Sequence, residues 1–367
     1  MARRKRLLLF VLLLLVLLQL PFVFSLYRTY RLHKYLASLA VVSVPKRPFE
    51  DIRGGIHVHS AAGGHSLGTY AEIAQAAKDV GYRYVFITEH PKSRQLFQKW
   101  SDPGLAMIYG WDERQGEAGE MLCTEDRSIC FQSGDDRPVA SHAKGLEVFN
   151  LDQSASTNDS WFVRISFFYH RLLYPELFFF KLWTVDRSYL ATWDRELRNR
   201  HLTGIGGSDA HQNIGLVLQT TSGDKLFTLM LDPYQESFRA VTNHVVLLPT
   251  EVVSSENVLA GLVRGSAYIA FEKVADPTGF SFHALEDGKA RPMGSTVKPG
   301  ATLVAQAPHE AVFRFFQNGK PWKTVSGSQC RLTTDQTGFY RLEVYLPDPP
   351  PELEHNPWII SNPIYVK

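Results

Sequence analysis

Two pairs of metal-type side chains stand out in this sequence, each pair two residues apart. His57 and His59 end a short apolar run, and Asp209 and His211 end a run of small residues. In an extended strand, residues two apart point to the same face, so each pair would present its side chains together. Imidazole and carboxylate groups are ligands for divalent ions such as zinc, iron and manganese. The spacing therefore predicts a metal site.

Three more histidines extend the pattern. His65 follows Gly63–Gly64, a pair that allows the chain to turn sharply back over the first two histidines. His90 lies just after the strand predicted over residues 82–88, and His142 stands shortly before another predicted strand. A single histidine is more often a satisfied core residue. Five histidines and a carboxylate at predicted strand ends, with His65 in a loop just beyond one of them, favour a metal cluster.

The sequence around these residues predicts a β/α repeat. Thr69 and Glu72 have the spacing of a capping box, and an apolar helical face then continues to Gly81. A strand over Tyr82–Thr88 follows, so strand, helix and strand succeed one another. Barrels and open α/β sheets keep their active sites at the carboxyl ends of such strands.

Three motifs resemble the PHP family, which is named for polymerases and histidinol phosphatases. They are the histidine motif over residues 57–65, the sequence ITEH at 87–90 and the sequence GGSDAHQNIG at 206–215. The similarity covers about residues 50–272. It implies an α/β fold with a distorted (β/α)7 barrel, and a site with two or three divalent ions (Zn, Mn or Fe) that hydrolyses phosphate esters.

The resemblance also implies a ligand set. Metal-ligand positions of the family fall on His57, His59, His65, His90, Asp209 and His211, with Asp209 and His211 also in catalytic roles. A bridging carboxylate is expected near residue 112, where Asp112 is in register and Glu113 follows one residue later. His142 is expected as a further ligand.

Composition excludes some classes of function. The chain has 367 residues, 44% of them hydrophobic and 21% charged, which is typical of a globular protein of about two domains. Residues 1–34 hold seven lysines and arginines and no acid, so the net charge of +2 becomes −5 for the rest. A mildly acidic body does not favour nucleic-acid binding.

The amino terminus is expected to anchor the protein in a membrane. Four cationic residues precede Leu7–Leu26, and about twenty apolar residues span a bilayer as a helix. We expect a single-pass transmembrane helix over residues 1–26 with its amino terminus in the cytoplasm, and a tether over 27–48. The body would then lie in the periplasm or outside the cell. A cleaved signal peptide is the alternative.

Two other stretches bear on organisation. Residues 161–183 are rich in aromatics interleaved with cations, which favours either a helix pair packed on the core or an amphipathic surface lying against the membrane. Beyond the barrel, predicted over 49–274, short alternating runs and turns such as Asp287-Gly288 and Asn318-Gly319 predict a small all-β sandwich over 275–367.

The expected function is that of a membrane-anchored metal-dependent phosphoesterase acting on a phosphorylated small molecule, similar to the bacterial envelope type of PHP protein. A PHP-type nuclease and a degenerate, non-catalytic metal- or ligand-binding module are the alternatives. Cys123 and Cys130 have a spacing that permits a disulfide in an oxidising compartment.

Overall fold

The computed structural model describes residues 2–64, 66–90, 99–134, 137–157, 180, 183–213, 215–219, 225–230 and 232–367. Its helices are α1 Ala2–Ala37, α2 Tyr70–Asp79, α3 Leu151–Thr157, α4 Arg187–Leu197, α5 Tyr234–Ala240 and α6 Ser255–Arg264. Its strands up to residue 270 are β1 Glu50–Val58, β2 Tyr84–Glu89, β3 Ala106–Arg114, β4 Glu120–Thr124, β5 Cys130–Gln132, β6 Gly145–Asn150, β7 Thr203–Gly207, β8 Gly215–Gln219, β9 Lys225–Met230, β10 Thr242–Leu247 and β11 Ala267–Ala270. The remaining strands are β12 Ser281–Glu286, β13 Lys289–Pro292, β14 Thr296–Val297, β15 Thr302–Gln317, β16 Lys320–Thr333, β17 Gly338–Tyr345, β18 Ile359–Ser361 and β19 Ile364–Val366.

The mixed α/β class is confirmed, and most strands belong to one 17-stranded sheet. Strand β1 pairs with β2 in parallel and with β10 in antiparallel, and β2 pairs with β3 in parallel. Farther along, β5, β6 and β7 run parallel. An isolated parallel bridge between Val58 and Ala210 brings the chain after β7 beside the end of β1. The carboxyl ends of β1 and β7 therefore lie side by side.

The predicted (β/α)7 barrel is not confirmed, because the middle of the sheet departs from a β/α repeat. Strands β3, β4 and β5 form an antiparallel unit. The connection between β3 and β4 spans only residues 115–119, whereas a parallel crossover needs about a dozen residues or more. Cys123 and Cys130 face each other across β4 and β5 and form a disulfide, as their spacing permits.

Helix α2 forms where its sequence signals predict it. The Thr69 hydroxyl accepts from the Glu72 amide, and the Glu72 carboxylate accepts from the Thr69 amide, so the capping box is complete. The helix ends at Asp79, two residues before Gly81, which has a φ of 77°. Its buried face packs on residues of β1 and β2 through Ile73 and Ala77. The helix thus supports the strand that carries His57.

The chain beyond residue 280 is all-β, as predicted, but it continues the same sheet through the pair of β11 with β18. The two predicted turns form: Asp287-Gly288 joins β12 to β13, and Asn318-Gly319 joins β15 to β16. All four turn residues have positive φ, which is the requirement of a type I′ hairpin turn. The domain boundary at residue 275 stays a prediction.

Helix α1 does not confirm the predicted anchor. Among the described residues, no helix is both long enough and apolar enough to cross a membrane. The predicted boundary at residue 26 falls inside α1, which continues to Ala37 and contacts the carboxyl-terminal region. Arg28 pairs with Glu352 at 2.6 Å, and the Tyr35 hydroxyl donates to the carbonyl of Pro347. Much of the predicted tether is therefore helical.

The aromatic stretch predicted over residues 161–183 lies outside the described residues except at its end. There Phe180 and Trp183 are buried, and the Trp183 ring lies 4.9 Å from that of Phe271.

Helix α6 ends at Arg264 with Gly265 in the left-handed conformation, as its sequence predicts.

Candidate metal centre

The end of β1 presents two buried imidazoles through an irregular backbone. The register between β1 and β2 shifts between Ile56 and Val58, and His57 has a φ of 63°. Positive φ is uncommon outside glycine and costs on the order of 1–3 kcal/mol. The irregularity leaves the rings of His57 and His59 adjacent, with centroids 5.1 Å apart. Both side chains are almost fully buried.

The segment after β7 is held against this strand end by backbone hydrogen bonds. The Ser208 amide donates to the Ile56 carbonyl at 3.0 Å, and the His59 amide donates to the Ala210 carbonyl at the same distance. Asp209 also has positive φ, at 45°. The structure thus brings together the two pairs that were picked out by spacing, 57/59 and 209/211.

Five of the predicted ligands converge on one small region. Oδ1 of Asp209 lies 3.3 Å from Nε2 of His57 and 3.2 Å from Nε2 of His59. Oδ2 of Asp112 lies 3.6 Å and 3.9 Å from the same two nitrogens. Two overlapping groups result, each with its ligand atoms within 4.8 Å of one another: His57, His59 and Asp112, and His59, Asp209 and His211.

His90 flanks this region at the end of β2. Its ring stacks on that of His59 with centroids 4.9 Å apart, and the His211 ring stacks on His59 at 4.4 Å. Nδ1 of His90 lies 3.5 Å from Oδ2 of Asp112. His59 therefore lies between two other imidazoles, next to both carboxylates.

The choice between Asp112 and Glu113 is resolved by strand alternation. Asp112 is buried and points to the histidines, whereas Glu113 points to the opposite face of β3. There Glu113 forms a bidentate ion pair with Arg127 at 2.6 and 2.7 Å. The structure places only Asp112 in the cluster.

The other predicted ligands are not brought into the cluster. His142 is exposed, and its Nε2 lies 3.2 Å from Oε1 of Gln115. His65 lies outside the described residues. His142 belongs to the loop between β5 and β6, which keeps it at the surface.

A carboxylate that the sequence reasoning missed orients His57. Oε1 of Glu147 lies 2.8 Å from Nδ1 of His57, and the Ser133 hydroxyl donates to Oε2 at 2.6 Å. Glu147 is buried in the middle of β6. A Cβ at Gly207 would lie only 1.6 Å from Oε1 of Glu147, so this contact requires a glycine there. The sequence feature that could have revealed Glu147 is its position as the one acidic residue within the apolar strand GLEVFN.

Glu89, also missed, holds the chain just after His59. Its Oε1 accepts hydrogen bonds from both the amide and the hydroxyl of Ser60. Glu89 is completely buried, and this burial raises its pKa above the ordinary value. The segment between β1 and α2 is therefore tied to the end of β2.

The carboxylates and imidazoles of the cluster shift each other's pKa values. Burial would raise the pKa of Asp209 and of Asp112, but the neighbouring histidines lower both. Burial lowers the pKa of His59 to about 3. Burial would also lower the pKa of His57, but Asp209 and Glu147 raise it well above 6.5. A neutral imidazole surrounded by anionic carboxylates is a donor set for a cation.

The ligand atoms themselves fit a metal. Within the described part of the chain, Nε2 of His57 and Oδ1 of Asp112 are buried and have no hydrogen-bond partner. Buried polar atoms normally have a partner, and a metal ion is one explanation for an exception. Mixed imidazole and carboxylate ligands suit zinc, iron or manganese. We conclude that these residues form a candidate metal centre.

No protein-family model matches this sequence, and no curated protein is similar to it. Among solved structures, the chain is similar to the crystal structure of a two-domain protein from Bacteroides vulgatus ATCC 8482 that contains a predicted PHP-like metal-dependent phosphoesterase. The identity is 12%, the match covers 88% of this chain and 98% of that chain, and the TM-score is 0.36. A likeness at this TM-score does not establish a shared fold or activity.

Proposed function

We propose that this protein is a metal-dependent hydrolase and that it cleaves phosphate esters. One observation carries the proposal: ligand atoms of His57, His59, Asp112, Asp209 and His211 converge from separate segments of the chain. A structural role would not require the imidazoles of His57 and His59 both to face the carboxylates of Asp112 and Asp209. A divalent ion held there would supply a Lewis acid for a phosphoryl oxygen and an activated water.

The surrounding residues would orient this centre. Glu147 accepts from Nδ1–H of His57 and so leaves Nε2 of that ring as the ligand atom. The Asn150 amide donates to Oδ2 of Asp209 at 3.3 Å, which leaves Oδ1 facing the histidines. Nδ1 of His211 donates to the Asp209 carbonyl at 2.7 Å. His57, Asp209 and His211 then each have one atom in the cluster and another in a supporting hydrogen bond.

The phosphoesterase part of the proposal rests on the sequence motifs. The three motifs that resemble the PHP family supply His57, His59, His90, Asp209 and His211, all of which lie in or beside the cluster. On this basis we propose that the chain is a PHP-type phosphoesterase of the bacterial envelope. Two or three ions of zinc, manganese or iron would be its cofactors.

Metal analysis combined with a substrate panel tests the proposal. The full chain is stripped with a chelator, reloaded with zinc, manganese or iron, and assayed on phosphomonoesters, a bis-aryl phosphodiester and DNA oligonucleotides. We expect stoichiometric metal and metal-restored hydrolysis of phosphomonoesters. Cleavage of DNA alone would favour a nuclease, and bound metal without any hydrolysis would favour a binding module.

We also propose that the folded body lies outside the cytoplasm. The disulfide between Cys123 and Cys130 supports this location, because such bonds persist in oxidising compartments. Thiol labelling of protein from intact cells should find Cys330 reactive after denaturation, and the other two cysteines only after reduction. Labelling of all three without reduction would contradict the location. Membrane association through α1 stays a prediction, to be tested by carbonate extraction.

A further inference from the structure

A cavity of about 290 Å³ lies beside the candidate metal centre, with Asp209 in its wall. Arg114, Arg137 and Ser133 line it as well. Because Asp209 is a predicted ligand, a molecule in this cavity would lie next to the metal. The side chains of the cavity therefore bear on which phosphate ester reaches the centre.

Several residues of the cavity wall belong to strands or helices, whereas Arg137 lies in the loop between β5 and β6. Arg114 is the last residue of β3, and Ser133 directly follows β5. Asn150 ends β6, and its Oδ1 accepts from the Gln153 amide of α3 at 3.0 Å. The Gln153 side chain donates to the Tyr189 hydroxyl at 2.6 Å. These hydrogen bonds hold the side chains of Asn150 and Gln153 in place, as a binding site requires of its polar groups.

The two arginines are the cations among the described residues that line the cavity. A guanidinium stays protonated in proteins and presents a planar fork that matches phosphate oxygens. Glu120 and Asp152 also line the cavity. Asp209 would be neutralised by the bound metal. The two guanidinium groups line the same cavity as Asp209, so a phosphate bound to the metal would lie within this cavity beside them.

The rest of the lining is polar. No aromatic or aliphatic side chain is among the described residues that line this cavity. Small-molecule sites are usually apolar, with a few polar groups, and nucleobases are typically held by stacking on aromatic rings. A base, an aryl group or an acyl chain would find no apolar partner here. Hydroxyl groups would find partners in Ser133, Asn150 and Gln153.

The geometry points to a small phosphomonoester of a polyol or sugar as the substrate. Its phosphate is held by Arg114 and Arg137, and its hydroxyls by Ser133, Asn150 and Gln153. This inference rests on the proposed phosphoesterase function. Hydrolysis consumes one water, breaks the ester P–O bond and releases the polyol and inorganic phosphate. A cavity of about 290 Å³ lies at the small end of ligand sites, which agrees with a short polyol.

Substrate preference of the wild-type protein tests the inference directly. The metal-loaded full chain is assayed on glycerol phosphate, a hexose 6-phosphate, phenyl phosphate and adenosine 5′-monophosphate. We expect kcat/KM for the best polyol or sugar phosphate to exceed that for the aryl and nucleoside phosphates by about tenfold or more. Equal or reversed preference overturns the inference while leaving the proposed function in place.

Arginine variants provide the second measurement. Arg114→Gln and Arg137→Gln should each raise KM, and the inhibition constant of inorganic phosphate, by about tenfold, with metal content unchanged. Arg195→Gln, at an exposed arginine of α4, is the matched control and should leave both constants unchanged. Arg114→Lys and Arg137→Lys keep the charge but lose the fork, and should recover only part of the affinity. Unchanged constants in both Gln variants would overturn the assignment of the arginines.

If the wild-type protein hydrolyses no phosphate ester, both the proposed function and this inference are wrong. That result differs from a phosphoesterase with the wrong preference, which removes only the inference. If a Gln variant does not fold, the Lys variant and the wild-type preference still decide the matter. Folding of each variant is checked by its thermal transition.

Discussion

Strand β1 carries a buried histidine–carboxylate cluster at each end, and the two clusters are built differently. At its start, Nδ1 of His244 lies 2.9 Å from Asp51 and Nε2 lies 3.1 Å from Glu272. The Tyr268 hydroxyl donates to Asp51, and Arg53 pairs with Glu272. Every polar atom of this imidazole has its own partner, so the cluster is a complete structural ion pair.

The cluster at the other end of β1 lacks that completeness. Nε2 of His57 and Nε2 of His59 face the same carboxylate oxygen of Asp209. In the described part of the chain, neither Asp112 nor Asp209 pairs with an arginine or a lysine. Two of the residues also have positive φ. Strain and shared acceptors mark a site arranged for a ligand rather than for its own stability.

The largest effect is expected from Asp209→Asn. Asparagine tolerates positive φ and keeps the shape of the side chain, so the fold should persist. The lost negative charge should weaken metal binding, and activity should fall on the order of a thousandfold. Initial rates and metal content measure the effect. A variant as active as the wild type would refute the role given to Asp209.

His244→Phe should destabilise the protein without changing metal binding at the candidate centre. Phenylalanine can keep the stack on Tyr268, whose ring lies 4.4 Å from that of His244, but it leaves Asp51 and Glu272 without their shared cation. Breaking a buried charge pair costs about 3–5 kcal/mol. Urea unfolding measures the loss, and metal content per folded molecule should not change. A variant with wild-type stability would show that the two clusters do not differ as described.

The same cluster predicts a pH dependence of stability. Burial would lower the pKa of His244, but Asp51 and Glu272 raise it from 6.5 to about 9. A raised histidine pKa stabilises the folded state fully below about pH 6.5, and this stabilisation is lost as pH rises through about 9. Unfolding free energies between pH 6 and 10 should therefore fall more steeply for the wild type than for His244→Phe. Parallel curves would contradict the assignment.

Glu147→Gln should weaken metal binding without removing a ligand. The amide can no longer accept as strongly from Nδ1 of His57, and supporting groups of this kind typically contribute about 10- to 100-fold in metal affinity. Competition with a metal-sensitive dye measures the change. Glu113→Gln is a matched control, because Glu113 faces the other side of β3. Equal affinities for the Glu147→Gln variant and the wild type would contradict the orienting role.

The smallest effect is expected from His142→Ala. His142 was predicted as a ligand but is exposed beside Gln115, away from the cluster. Metal content and kcat/KM should stay within about twofold of the wild type, as for most surface substitutions. His201→Ala, at another exposed histidine, is the control. Loss of metal in His142→Ala but not in His201→Ala would show that His142 is a metal ligand after all.

Local patterns in the sequence predicted much of this site. The spacing of two residues picked out His57 with His59 and Asp209 with His211, although the backbone at His57 and at Asp209 has positive φ and is not a regular extended strand. The capping box at Thr69 and the turn at Asn318-Gly319 also predicted real element boundaries. These features depend on neighbours within a few residues, which a sequence displays directly.

Features set by distant residues could not be predicted in this way. The selection of Asp112 over Glu113 depends on the register of β3 with β2. Glu147 became visible as a partner only when β6 lay beside Gly207. The antiparallel unit of β3, β4 and β5 follows from the short connection between β3 and β4. This connection changes the order and direction of strands elsewhere in the sheet. The local backbone preference of a histidine is for negative φ. The positive φ at His57 is therefore imposed by the packing of distant parts of the chain.

Anomalous diffraction from crystals of the full chain loaded with zinc or manganese tests the central claim most directly. We expect an anomalous peak about 2.0–2.3 Å from Nε2 of His59 and Oδ1 of Asp209, and none between His244 and Asp51. No peak at His59 and Asp209 under saturating metal, or a peak at His244 instead, would contradict it.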